Sequence, residues 1–115
     1  MDIEMLRDYC LSFDNVTEEF PFGNDTLVFK VSGKIFLLAG LDNSPLQFNV
    51  KCNPEKAIDL REQYASIHPG YHMNKKHWNT VIVDASIPVQ FLKEMIRNSY
   101  EIVCSSLPKS KRKRD

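Results

Sequence analysis

Between Thr26 and Cys52 the apolar residues fall on alternate positions in three successive runs, each closed by a turn signal. That period of two commits the centre of the chain to antiparallel strands. In the first run, Thr26 to Ser32, the side chains of Leu27, Phe29 and Val31 share one face. Ser32-Gly33 can close a two-residue hairpin into a second run, Lys34 to Leu41. This register sets Phe29 opposite Phe36 and Leu27 opposite Leu38, a plausible seam for a core. Asp42-Asn43-Ser44-Pro45 is the next turn. Leu46, Phe48, Val50 and Cys52 then point inward, with Gln47, Asn49 and Lys51 outward, so one sheet face is predicted to be wet.

Helices flank these strands. Asp2 can cap a first helix that aligns Ile3, Leu6, Cys10 and Phe13. Asn53-Pro54 joins an asparagine cap to proline at the first helical position, opening a second helix marked by Ala57, Leu60, Arg61 and Tyr64. Ser86 and Pro88 open a long third helix, with Val89, Leu92, Ile96, Val103 and Leu107 toward the core and Pro108 as its stop. A short extended stretch at Phe20 and Phe22, and a strand from Trp78 to Asp84, complete the order α-β-β-β-β-α-β-α. Helices packed on one face of an antiparallel sheet make this an α+β fold and not a doubly wound one. The expected organisation is one domain over residues 1–108, followed by a basic tail, 109–115, predicted to be disordered.

A chain of 115 residues buries roughly two-thirds of its unfolded surface, enough for a core without metals or disulfides. Cys10, Cys52 and Cys104 are odd in number, lack CxxC spacing and sit in apolar patterns, so buried free thiols and a reducing, cytoplasmic setting are expected. No apolar run approaches the length that spans a bilayer. The net charge of zero conceals two unlike parts: residues 1–108 hold 10 Lys+Arg against 14 Asp+Glu, and residues 109–115 hold 5 against 1. An acidic body speaks against nucleic acid, whereas a cationic tail can serve polyanions or simply solubility.

The densest chemistry lies in Pro69 to Thr80. Lys75 and Lys76 offer cations for phosphate oxygens, Asn74 and Asn79 offer amides, and Tyr71 and Trp78 offer stacking faces beside His72 and His77. The competing reading is a well-packed loop with the aromatics as anchors and the lysines solvated. Lys30, Lys34 and Lys51 come from consecutive strands or their turn and can gather on one face; a merely solvated sheet face is the alternative. His68, His72 and His77 lack a nearby Cys, Asp or Glu, so no metal is expected. Glu18 and Glu19 are adjacent and would point to opposite faces of a strand. With no GxGxxG, P-loop, HExxH or GxSxG present, no catalytic residue, cofactor or enzymatic activity is expected.

Several blocks carry a family likeness: Leu6 to Ser12, Val16 to Gly23, Thr26 to Val31 with Gly33-Lys34, Asn49 to Cys52 before Pro54-Glu55, Leu60 to Tyr64, and above all Pro69-Gly-Tyr-His-Met-Asn-Lys-Lys-His-Trp-Asn-Thr80. Through these the chain resembles the MmcQ/YjbR family of small bacterial proteins. The resemblance implies a CyaY-like architecture and a double-wing DNA-binding motif. The Ser32-Gly33 hairpin with Lys34 and the Tyr71 to His77 loop would then be the wings. The expected interface is Lys34, Lys51, Tyr71, His72, Asn74, Lys75, Lys76, His77, Trp78 and Asn79, contacting DNA with little sequence specificity. A monomer without membrane contact is expected. The alternative is a module for a small anion or a protein partner, using the Tyr71–Thr80 block without catalysis.

Overall fold

The structure, a computed structural model, describes residues 1–70 and 73–108. Tyr71, His72 and the basic tail, on which some of the expectations above fall, lie outside the described residues. The elements run α1 (Ile3–Leu11), β1 (Val16–Glu19), β2 (Thr26–Val31), β3 (Lys34–Gly40), β4 (Gln47–Lys51), α2 (Pro54–Gln63), β5 (Ile67–Pro69), β6 (Trp78–Ile82) and α3 (Val89–Ser105). Six strands form one antiparallel sheet in the order β1-β2-β3-β4-β6-β5.

The helix starts follow their caps. The Asp2 carboxylate accepts from the Met5 amide at 2.9 Å, and Asn53 Oδ1 accepts from the Glu55 amide at 3.0 Å just ahead of Pro54. Helix α3 differs from expectation: it begins at Val89 with no side-chain cap. Ser86 instead donates to Asp84, whose carboxylate also accepts from Ser66. These hydroxyl and amide donors hold the Asp84 carboxyl below its ordinary value. Val89, expected to face the core, is exposed.

All three helices cover one sheet face. Leu6 and Cys10, Ala57 and Leu60, and Leu92, Ile96 and Val103 pack with Leu27, Phe29, Phe36, Phe48, Val50 and Val81 in one buried cluster. Ser99 sits at its centre, donating to the Phe36 carbonyl at 2.6 Å and accepting from the Lys51 amide at 2.8 Å, which fixes α3 across β3 and β4. The hairpin closes at Ser32-Gly33 as the sequence indicates. Its φ values of 48° and 87° suit the left-handed positions of a tight hairpin turn.

Three sequence-based expectations need correction. The β2–β3 register shifts after the first two pairs, so Phe29 faces Leu37 and Leu27 faces Ala39 instead of Phe36 and Leu38. The extra residue of this bulge lets both Phe36 and Leu37 be fully buried, which strict alternation forbids. The first strand is Val16–Glu19, one step before Phe20 and Phe22, which are 47% and 63% exposed. Arg7 of α1 grips Glu18 with two hydrogen bonds of 2.6 and 2.8 Å and so holds that segment to the sheet edge. Pro21, lacking an amide hydrogen, cannot extend the ladder. Finally, Ile67–Pro69 forms β5, paired Ile67 to Val81, a strand missing from the expected element order. Among the described residues no helix is long and apolar enough to cross a membrane.

Candidate nucleic-acid interface

The register of the sheet decides where the lysines go. β2 ends at Val31 and β3 starts at Lys34; β4 ends at Lys51 directly opposite Trp78, where β6 starts; and β5 ends at Pro69 beside Asn79. All these termini lie at the same end of the sheet. The Ser32-Gly33 hairpin and the 74–77 turn therefore lie at one end, with Lys51 between them. Strands are about 4.8 Å apart, so the step from β3 to β5 spans about 14 Å. Lys34, Lys75 and Lys76 are exposed and Lys51 is half-buried. Asp14, in the α1–β1 connection, Glu55, in the first turn of α2, and Glu94 of α3, beside Lys51, are acids at this end. The opposite end carries Asp25, Asp42 and Asp84 in its loops and Glu19 at the close of β1. Lys30 does not join the lysine end, because its ammonium lies 3.1 Å from Glu19. That contact and the Thr17 hydroxyl hold the Glu19 carboxyl below its ordinary value.

The 74–77 turn is built by its own residues and clamped from α2. Asn74 Oδ1 accepts from the Lys76 amide at 2.9 Å, and its carbonyl accepts from the His77 and Trp78 amides at 3.1 and 3.0 Å. The His77 carbonyl accepts from the Cys52 amide at 2.7 Å, tying the turn to the exit of β4. Arg61 supplies the clamp: Nε donates to Asn79 Oδ1 at 2.7 Å, while Nη2 donates to the carbonyls of Trp78, at 3.2 Å, and Lys75. Gly70 completes it by donating to the Trp78 carbonyl at 2.9 Å. A Cβ at position 70 would lie 3.0 Å from that of Trp78, so the two strands approach closely because one of them has no side chain there.

Two of the expected contact residues thus have structural work. Asn79 is 1% exposed and spends its amide on Arg61 and the Ala57 carbonyl, so it belongs to the core and not to a surface. Asn74 shapes the turn that presents Lys75 and Lys76. His77 and Trp78 are half-buried at the same end. Arg61 was read from the sequence only as one of the positions that mark α2. Its role was invisible there because its partners lie 14 to 18 residues away.

A small cavity of about 30 Å³ opens on the helix side of this end, lined by Lys51, Cys52, Lys56, Asn79, Glu94 and Asn98 among others. That is room for about two waters. Trp78 does not line it. Cys10 and Cys52 are buried free thiols; Cys104, expected to be buried, is only partly so. Burial pushes the Cys10 thiol up to about 12 and raises that of Cys52, so neither is a thiolate at neutral pH. Among the described residues no three His, Cys, Asp or Glu side chains gather as metal ligands.

The family model for YjbR matches residues 11–102. The chain belongs to the YjbR family. It is 31% identical over 114 residues to the uncharacterised protein YjbR of Escherichia coli K12, covering 98% of this chain and 96% of that one. The uncharacterised protein YbdF of Escherichia coli O157:H7 is 40% identical over 95 residues, 83% of this chain and 78% of the relative. Among solved structures, a Deinococcus radiodurans protein with a DUF419 domain superposes with a TM-score of 0.90 at 37% identity, covering 95% of this chain and 83% of that one. A Pseudomonas syringae protein matches with a TM-score of 0.75 at 25% identity, over 89% of this chain and 98% of that one. The family match takes in both loops of the lysine end.

Proposed function

We propose that this YjbR-family chain binds DNA with low sequence specificity through Lys34, Lys51, Lys75 and Lys76. The observation that carries the reading is the convergence of these four cations, from three distant stretches of chain, on one end of the sheet. Most of the acids that make the body negative are held on helices or at the opposite end. The Ser32-Gly33 hairpin and the 74–77 turn act as two wings, about 10 Å apart as strands β3 and β6 are spaced. That distance covers about three phosphate charges along one strand of a duplex. Ammonium groups on flexible stems contact phosphates without reading bases, which is the source of the low specificity. Three free cysteines and a DNA ligand both fit the cytoplasm as the working compartment.

The test is the salt dependence of duplex binding, followed by anisotropy on unrelated sequences. Each phosphate neutralised contributes about 0.9 to the slope of log K against log salt. Replacing all four lysines by alanine in the full chain should reduce that slope by about 3.6, and the Lys75→Ala/Lys76→Ala pair by about 1.8. Unrelated duplexes should bind alike. An unchanged slope in the fourfold variant would remove the lysine end from the interaction and leave any binding to the 109–115 segment.

A further inference from the structure

Helix α3 fixes where the basic segment of the chain begins. β6 closes at Ile82 and α3 starts at Val89, so the helix sets out from the end of the sheet opposite the lysines. Ser99, bonded to the Phe36 carbonyl and the Lys51 amide, marks where it arrives. Tyr100 then stacks on Phe13, with ring centroids 4.6 Å apart, and its hydroxyl donates to the Asp14 carbonyl at 2.7 Å. The next residue of that connection, Asn15, accepts from the Ser32 amide of the hairpin at 3.1 Å. From Ser99 the helix continues to Ser105, about 9 Å along its axis. Leu107 follows as a buried side chain and Pro108 is exposed. Residues 109–115, with five Lys and Arg against one Asp, therefore start on the lysine side of the molecule, next to the connection that carries the hairpin.

We infer that residues 109–115 are a third arm of the lysine end, in which Lys109, Lys111, Arg112, Lys113 and Arg114 bind phosphates of the same DNA duplex that the two wings contact. The inference rests on the DNA reading and adds a contact surface to it. The parts of α1, α3 and the α1–β1 connection that flank the exit carry Asp8, Asp14, Glu101 and Arg97, three carboxylates against one cation. The net charge of the segment, five cations against one carboxylate, exceeds that balance. Scattered carboxylates hold no condensed counterions, whereas a duplex releases them for each phosphate neutralised, so the segment gains more on DNA than on the acids of its own body. An extended chain advances about 3.3–3.6 Å per residue, and phosphates along one strand are about 3.4 Å apart, so successive cations meet successive phosphates. Residues 109–115 reach about 24 Å at full extension, well past the spacing of the wings. The arm also reconciles a polyanion ligand with a body of 10 Lys+Arg and 14 Asp+Glu, because the cations that bind are gathered on one side.

Salt titrations of the full chain read the arm and the wings separately. With all these cations on one duplex, log K should fall against log salt with a slope of about −8. Lys109→Gln, Lys111→Gln, Arg112→Gln, Lys113→Gln and Arg114→Gln together should reduce that slope by about 4.5, and alanine at Lys34, Lys51, Lys75 and Lys76 by about 3.6. The two losses should add in the combined variant. A duplex of about 12 base pairs, long enough for wings and arm together at about 3.4 Å per pair, should saturate at one per chain. An unchanged slope in the glutamine variant, or tighter binding by it, would overturn the third arm and leave the lysine-end reading standing. A full loss of slope in the glutamine variant, with none in the alanine variant, would overturn the lysine-end reading and the shared surface with it. Saturation at two duplexes per chain would mean that arm and wings act apart, and would overturn the inference alone.

Discussion

The two ends of the sheet are made from the same kinds of segment, short connections between antiparallel strands, yet they are built differently. At the lysine end two connections are tied down among the described residues. The hairpin is a two-residue turn, and the 75–78 stretch is held by Arg61, by Cys52 and by Gly70. At the other end the 20–25 and 41–46 loops meet through a single backbone bond, Leu41 to Asp25 at 2.8 Å, and leave Phe20, Phe22 and Leu41 exposed. The four lysines stand on the braced end; at the other, Asp25 and Asp42 stand in the loosely joined loops, whereas Asp84 is tied by Ser66 and Ser86. A surface that presents charge to a ligand gains from being fixed in advance, because ordering a loop on binding costs affinity. The overall balance of residues 1–108, 10 Lys+Arg against 14 Asp+Glu, averages these two ends away.

Phenylalanines give the largest contrast. Phe36→Ala, at the buried bulge, should cost about 3–5 kcal/mol in urea unfolding, whereas Phe22→Ala at the other end should change stability by less than about 0.5 kcal/mol. Equal effects would mean that the 20–25 loop is packed and the ends do not differ in bracing. Arg61→Ala comes next. It leaves the buried Asn79 oxygen without its charged donor, at a cost of about 2–3 kcal/mol, and hydrogen exchange should show the loss of protection concentrated at residues 74–79. A uniform loss over the sheet would argue against a local clamp.

The glycines sharpen the comparison at smaller scale. Gly70→Ala presses a methyl against Trp78 Cβ and its carbonyl at 3.0 and 3.2 Å, in paired backbone that cannot step aside. A loss of about 1–2 kcal/mol is expected. Gly40→Ala at the other end would meet the Asn43 side-chain amide at 2.5 Å. That is the tip of a surface side chain, free to swing away, and the thermal midpoint should move little. The smallest effect is one of pH. Arg7 holds the Glu18 carboxyl below its ordinary value, and the Ser66 and Ser86 donors do the same for Asp84. A depressed carboxyl stabilises the fold fully above its unfolded value near 4 and loses that contribution as pH falls through the folded one. Urea midpoints should therefore hold from pH 7 to 5 and decline below 4, with a shallower decline in Glu18→Gln.

Much of the fold was legible in the residues themselves. Alternation over Thr26 to Cys52 specified three strands, because a period of two admits no other regular structure; Ser32-Gly33 specified the hairpin; Asp2 and Asn53-Pro54 specified two helix starts. These are local effects, decided within a few residues of chain. The bulge at Phe36, the three-residue strand β5 and the edge strand Val16–Glu19 were not legible. Each is held by partners far away in sequence: Ser99 on the Phe36 carbonyl, Val81 on Ile67, Arg7 on Glu18. The candidate site divides in the same way. Its lysines and its tryptophan stand out in the sequence as unusual chemistry in the Pro69–Thr80 block. Their convergence at one end, the withdrawal of Asn79 into the core and the pairing of Lys30 with Glu19 arise only when antiparallel strands bring distant termini together. Residue type sets what a group can bond to, but only the register of the sheet sets which groups are near enough to act together.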